Sequence, residues 1–250
     1  MKHLIYIFFI FCSLFINAQS ANELFKNANK LYTEQRYEDA IQLYESIEAK
    51  GLQSSELYFN LGNCYYKLNK IAPSIYNYEK ALKIEPNNED ALNNLSYAKR
   101  MSIDVIEALP KTFLQRFSEN FIMKFTFDQW ALVGVITAFL TALFFLLYYF
   151  SISTRKKFVF FNLSLLMAVV LVLTTIFAFS NYDTVQKDRQ AIIFATKSEV
   201  KNAPMMSSEL VFELHEGTKV MILDGLDNWV KIKLADGKIG WIPESDLKEI

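Results

Sequence analysis

Few side chains in this sequence are of types that do covalent or metal chemistry, and their spacing keeps them apart. Histidine occurs twice, as His3 and His215 at opposite ends, and cysteine twice, as Cys12 and Cys64. A metal site gathers several nitrogen, sulfur or carboxylate donors, and a nucleophile needs a base within reach. Neither pattern appears in the spacing, and no glycine-rich phosphate loop is present. Two cysteines make no disulfide framework. Cys64 falls where a small apolar residue suits a helix contact, so packing is its expected role. Catalysis would have to come from scattered carboxylates, and the expectation is a protein that is not an enzyme and uses no cofactor or metal. The recurring spacing is of another kind. Asn29 and Asn63 are 34 positions apart, as are Phe25 and Phe59, and Tyr32 and Tyr66. Amides among aromatic rings suit an extended peptide or a partner helix.

The same shift of 34 relates Ile41 to Ile75, Tyr44 to Tyr78, Glu45 to Glu79, Asn60 to Asn94 and Leu61 to Leu95. Small residues recur at Ala28, Gly62 and Ser96, and at Ala40 and Ser74. A domain over 19–102 is therefore expected, with repeats at 21–54 and 55–88 and a capping helix at 89–100. Each repeat reads as two helices. Apolar positions in Leu57–Leu68 have helical spacing, Asn69-Lys70 is a turn, and a second helix runs to Ile84 and stops before Pro86. Pro73 falls in its first turn, where a missing N–H is tolerated. The stretch Leu61-Gly62-Asn63-x-Tyr65-Tyr66, followed by Tyr78, Ala81 and Pro86, resembles the tetratricopeptide repeat. The first repeat keeps Ala40 and Tyr44 but has Leu52 in place of the closing proline. The resemblance implies an all-α solenoid whose first helices line a concave partner-binding face. By position that lining is Phe25, Asn29, Tyr32, Phe59, Asn63, Tyr66 and Lys67; packing on neighbouring repeats is the alternative for Phe25 and Tyr32. Some members of the family clamp a terminal carboxylate with asparagines and basic groups. Here Phe25, Asn93 and Tyr97 stand where basic groups would be wanted, so that clamp is incomplete. About three repeats are normally needed for stability, so this domain is expected to lean on the following segment, a partner or a second copy.

Composition places the rest. The chain is 52% hydrophobic and 15% aromatic, against about 45–50% apolar in soluble domains. The excess lies in Leu4–Ile16, Trp130–Phe150 and Phe158–Phe179. A bilayer span needs about 20 apolar residues, so a two-helix hairpin at 130–150 and 158–179 is expected. The net charge of −1 argues against nucleic-acid binding. Met1-Lys2-His3, the run Leu4–Ile16 and the small Ala18 read as a signal peptide over 1–18, with an uncleaved anchor as the alternative. Phe11 before Cys12 argues against lipidation. Arg155, Lys156 and Lys157 in the loop 151–157 point to the cytoplasm. Both flanking domains are then exported, which corresponds to the periplasmic side of a bacterial inner membrane. Neither span carries Asp, Glu, Lys, Arg or His, which disfavours transport. Gly134 and Ala138 form a small pair for close helix packing. Residues 103–129 place Phe113, Leu114, Phe117, Phe121 and Phe125 between Lys111, Arg116 and Lys124. This pattern suits an amphipathic juxtamembrane helix on the membrane surface, or a packed extension of the repeats.

Past Phe179 the pattern turns to short alternating runs. Val230, Ile232 and Leu234 face one way and Lys231 and Lys233 the other, as in a half-buried strand. Val211–Leu214, Val220–Leu223 and Ile239–Ile242 are further strands, with turns at Glu216-Gly217, Asp224-Gly225 and Asp236-Gly237. Five short strands over 190–250 suggest a small all-β barrel. Ala191–Val200, Leu214–Thr218, Trp229–Ile232 and Gly240–Pro243 together resemble a bacterial SH3-type domain. The resemblance implies binding of cell-wall peptides or protein segments, with Trp229, Trp241 and Pro204 as the ligand face; a core position is the alternative for Trp241. The whole order (signal peptide, repeats, two-span hairpin, SH3-like barrel) resembles the BatE-type membrane proteins of the aerotolerance operon. That likeness implies a scaffold working with von Willebrand factor A-domain membrane proteins and a MoxR-type ATPase in envelope stress tolerance or assembly. The alternative is a peptidoglycan-binding tether or sensor.

Overall fold

The computed structural model describes residues 21–250; the expected signal peptide lies outside the described residues. The chain forms two compact units. One combines the segment up to Ala108 with Arg189–Ile250, and the other is Leu109–Asp188. The apolar hairpin is thus an insertion in sequence between two parts of one compact body.

In that body the helices are α1 (21–33), α2 (Tyr37–Glu48), α3 (Ser55–Lys67), α4 (Ile71–Ile84) and α5 (Glu89–Lys99). Their ends are set locally. Ser54 caps α3 by accepting from the Leu57 N–H, and Asn88 caps α5 by accepting from the Ala91 N–H, each satisfying an orphan donor of the first turn. Gln35 and Asn69, one repeat apart, both take the left-handed conformation (φ 63° and 55°) that turns the first helix of a repeat into the second. Gly62 lets those two helices close: a Cβ there would lie 2.6 Å from Tyr78 Cδ1. Ser74 Oγ donates to the Gly62 carbonyl across the same contact, at 3.0 Å.

The β part has seven strands where five were expected: β1 (Gln190–Ile193), β2 (Lys197–Lys201), β3 (Leu210–His215), β4 (Lys219–Leu226), β5 (Trp229–Lys233), β6 (Ile239–Pro243) and β7 (Leu247–Glu249). They form one antiparallel sheet in the order β3-β2-β6-β5-β4-β1-β7. Its core, including Val200, Leu214, Val220, Ile222, Val230, Ile232 and Ile242, comes chiefly from that sheet. A sheet that supplies its own core must fold over on itself. The turn expected at Asp224-Gly225 is corrected: both residues lie in β4 and pair with Lys231 and Val230, beside a register shift after Ile222. The shift absorbs the irregularity, and the chain reverses at Asp227 (φ 52°) and Asn228 instead.

The second unit contains α6 (Phe113–Asn120), a 3-10 turn at Ile122–Lys124, α7 (Phe127–Phe150) and α8 (Thr154–Lys187). Helices α7 and α8 are long and apolar enough to cross a membrane. They run antiparallel: Ser164 Oγ donates to the Thr141 carbonyl at 3.2 Å, and Phe127 meets Tyr182 with ring centroids 5.5 Å apart. Gly134 serves this hairpin, since a Cβ there would sit 3.5 Å from Thr174 Oγ1. Arg155, Lys156 and Lys157 stand in the first turn of α8, so only Ser151, Ile152 and Ser153 link the helices. The amphipathic stretch is also shorter than expected. Pro110 biases its predecessor toward extended backbone, and Thr112 with Gln115 forms a capping box that starts α6. Residues before Leu109 belong to the first unit, where Ile106 packs on the sheet core.

Candidate partner-binding surfaces

The paired asparagines sit in a ladder that repeats with the solenoid. Asn63 Oδ1, on α3, accepts from Tyr78 Oη at 2.6 Å and from Asn94 Nδ2 at 2.8 Å. One repeat earlier, Asn29 Oδ1 on α1 accepts from Tyr44 Oη and from Asn60 Nδ2, the latter at 3.2 Å. Tyr44 and Tyr78 are fully buried, and burial, the largest cause, pushes both phenols well above the ordinary tyrosine range. They therefore stay protonated and donate. With each asparagine oxygen occupied inside the fold, the amide N–H groups are what these residues retain for a ligand such as a peptide carbonyl. Phe25 packs edge-on against Tyr44 at 5.6 Å, and Phe59 lies 6.1 Å from Tyr78. Tyr32 contacts Tyr37 at 5.4 Å. Phe25, Tyr32, Phe59 and Tyr66 are half-buried, and Lys67 is exposed. On α5, Tyr97 is exposed with the Arg100 guanidinium 5.4 Å from its ring centroid. The 34-residue shift relates Asn60 to Asn94 and Tyr44 to Tyr78 as it relates Asn29 to Asn63, but the hydrogen bonds that join them are set by the packing of different helices. The sequence signal was the common shift of all three pairs.

The second surface is on the sheet. Val230 and Ile232 of β5 point into the core, so Trp229 and Lys231 point outward; on β6, Ile242 is buried and Trp241 and Pro243 face out. Trp229 is paired with Pro243 and Lys231 with Trp241, and the Lys231 ammonium lies 5.8 Å from the Trp241 ring centroid. Trp241 is thus a half-exposed residue of the outer face rather than a core residue. Lys201 of β2 pairs with Trp241, and the chain then enters the loop that carries Pro204 and the exposed Met205 and Met206. An aromatic strip bordered by a flexible-sided methionine loop suits an extended ligand.

The two surfaces belong to one body because the sheet packs on the repeats. Ile192 of β1 is fully buried with Ala72, Ile75 and Tyr76 of α4 and Leu95 and Ala98 of α5. Tyr76 meets Phe194 edge-on at 5.6 Å and donates to the Glu249 carbonyl at 3.1 Å. Gly217 (φ 86°) comes so close to α4 that a Cβ would lie 2.9 Å from Ile75 Cδ1. Ile75 is the equivalent of Ile41 one repeat on. Its side chain is covered by this junction, so the sheet supplies cover that a further repeat would otherwise give.

Polar groups lock the junction. Glu79 of α4 is 8% exposed and accepts from Lys99 at 2.8 Å and from Lys219 at 2.7 Å. Burial alone would raise its carboxyl, but the Lys219 and Lys99 ammoniums outweigh burial and hold it below the usual glutamate range. Asp104 accepts from the His215 backbone N–H and from Thr218 Oγ1, both at 2.6 Å, and lies 2.9 Å from His215 Nδ1. Burial pushes this carboxyl up, and those hydrogen bonds pull it down further than burial raises it. His215 is therefore engaged in tying residues 102–106 to the β3–β4 turn. Cys64 is buried, and burial pushes its thiol up to about 12, which keeps it protonated and unreactive. Among the described residues, no group of three or more histidine, cysteine, aspartate or glutamate residues could hold a metal ion.

The helical repeats and the antiparallel sheet with its outward tryptophans thus share one core. Residues 55–88 match the family described as tetratricopeptide repeat, and residues 199–248 match the bacterial SH3 domain. A comparison with curated proteins finds no match. Both families are typically non-catalytic modules that bind proteins or, for the SH3 type, peptidoglycan. The paired Asn-Tyr-Asn triads and the paired left-handed turns show that α1–α2 is built as α3–α4 is.

Proposed function

We propose that the protein is an inner-membrane scaffold of the bacterial envelope, with α7 and α8 spanning the bilayer and the soluble unit binding partner proteins on the periplasmic side. The observation that carries this reading is the core shared by α4, α5 and β1. It joins the repeats and the sheet into one platform while Lys67 and parts of Phe25, Tyr32, Phe59 and Tyr66 stay accessible. A shared core also requires both parts of the chain to be on one side of the membrane, which an even number of crossings provides. The basic turn Arg155-Lys156-Lys157 at the other end supports a cytoplasmic position for that end. The BatE-type resemblance supports von Willebrand factor A-domain membrane proteins and a MoxR-type ATPase system as the partners, in aerotolerance. A second reading, a peptidoglycan tether or sensor, is favoured by the outward Trp229 and Trp241 and by the loop carrying Pro204 that follows Lys201, the strand partner of Trp241.

Cross-linking in intact cells, followed by purification of the tagged full-length chain and mass spectrometry, tests this. Lys67→Glu is the informative substitution, because Asn63 holds Tyr78 and Asn94 and its loss would disturb the repeats. The expected result is a fixed set of membrane proteins lost in Lys67→Glu and kept in Trp229→Ala/Trp241→Ala. Recovery of wall fragments alone, lost in the tryptophan variant and kept in Lys67→Glu, would overturn the scaffold in favour of the tether.

A further inference from the structure

We propose that residues 111–125 form a rigid elbow whose helix α6 is embedded in the bilayer surface, with lipid acyl chains as the occupant of its apolar face. The inference rests on reading α7 and α8 as spans.

The elbow is fixed to the end of the hairpin where α7 begins and α8 finishes. The Ile122 carbonyl accepts from Trp130 Nε1 at 2.9 Å and from Asn181 Nδ2 at 3.2 Å, and Asn181 Nδ2 also donates to the Phe125 carbonyl at 2.6 Å. Asn181 is 3% exposed. This buried amide satisfies backbone carbonyls that the short 3-10 turn leaves open, which non-helical backbone at membrane depth requires. Rings fill in around it: Trp130 lies 5.2 Å from Phe125 and 5.1 Å from Phe177, and Phe121 lies 5.9 Å from Trp130. The chain is thereby held at the level of Trp130 and Tyr182, the aromatic belt expected at a membrane boundary.

Helix α6 then presents Phe113, Leu114 and Phe117 on one side, and Phe113 and Leu114 are 81% and 75% exposed. Glu119 takes the opposite side by the helical period and meets Lys111 at 2.5 Å, while Arg116 lies on the flank, three residues from Phe113. The bare side is continuous, through Phe117 stacked on Phe121 at 5.4 Å, with the aromatic cluster that joins the hairpin. A soluble surface rarely leaves such a strip in water, and the neighbouring solvent of the hairpin is lipid. Three basic residues against two acidic ones in 109–129 leave little net charge, so apolar burial rather than anionic attraction holds the helix down.

The test is depth measurement by spin labels on the full-length chain, with Cys12→Ser and Cys64→Ala, in phosphatidylethanolamine/phosphatidylglycerol vesicles. Labels at Leu114 and Phe117, at Glu119, and at the hairpin residues Phe139 and Leu165 are each relaxed by oxygen, which concentrates in lipid, and by a water-soluble nickel chelate. The expected result is oxygen-dominated relaxation at Leu114, Phe117, Phe139 and Leu165, and at least tenfold greater chelate access at Glu119. If the hairpin labels lie in lipid while Leu114 and Phe117 are open to the chelate, or shielded from both agents by protein, the elbow proposal fails alone. If Phe139 and Leu165 are also open to the chelate, the membrane reading fails with it.

Discussion

Replacing Ile192 by alanine removes three carbons from a side chain with no exposed surface, at the point where β1 meets α4 and α5. The transfer cost is about 0.8 kcal/mol per methylene, and a cavity term raises the total to roughly 2–5 kcal/mol. At about 3 kcal/mol, amide hydrogens that exchange through opening of this junction should lose protection by more than a hundredfold, since every 1.4 kcal/mol is tenfold. Hydrogen exchange with mass spectrometry on the full-length protein reads this peptide by peptide. The decisive peptides cover Ile71–Ile84 of α4, more than 100 positions away in sequence from the substitution. Both α4 and the sheet should lose protection to a similar extent. Ile239→Ala, on an exposed side chain, should change either by less than about 0.5 kcal/mol. A sheet that loosens while α4 keeps its wild-type protection would refute the shared core and leave two independent domains.

Two further changes test the packing and the charges. Glu79 has a folded-state carboxyl held below its ordinary value by Lys219 and Lys99, so its stabilisation is complete above the usual glutamate range, about pH 4.3. That stabilisation drains away as pH falls through that value and then through the lower folded one. Asp104 acts with the same sign. The chemical-denaturation midpoint should therefore fall steeply below about pH 4, and Glu79→Gln should flatten that limb; an unchanged acid limb would remove Glu79 from the junction. Gly62→Ala drives a Cβ to 2.6 Å from the Tyr78 ring and should lower stability by about 1–3 kcal/mol through overpacking. The loss should show in the same midpoint at neutral pH, and a neutral or stabilising result would show that α3 and α4 can separate freely.

What the sequence determined by itself was local. Helical spacing, the turn at Asn69 and the two apolar runs each act within a few residues, so their signals survive without knowledge of the fold. The 34-residue shift showed that the first segment repeats, and alternation in Trp229–Leu234 showed a half-buried strand. Alternation also held the clue to Trp241, whose neighbours Gly240 and Ile242 are the buried ones. Tertiary structure decided what those elements do to each other. Asn29 and Asn63 proved to hold tyrosines because their partners come from other helices. Residues 103–108 joined the unit of the repeats and the sheet because Ile106 packs on the sheet core and Asp104 accepts from the His215 N–H. The sheet became the cover for α4 through Glu79 with Lys219, Tyr76 with Glu249 and Ile75 beside Gly217. These pairs join residues on opposite sides of the inserted hairpin. Their energy depends on burial that exists only once both parts are in place, and no local pattern records it.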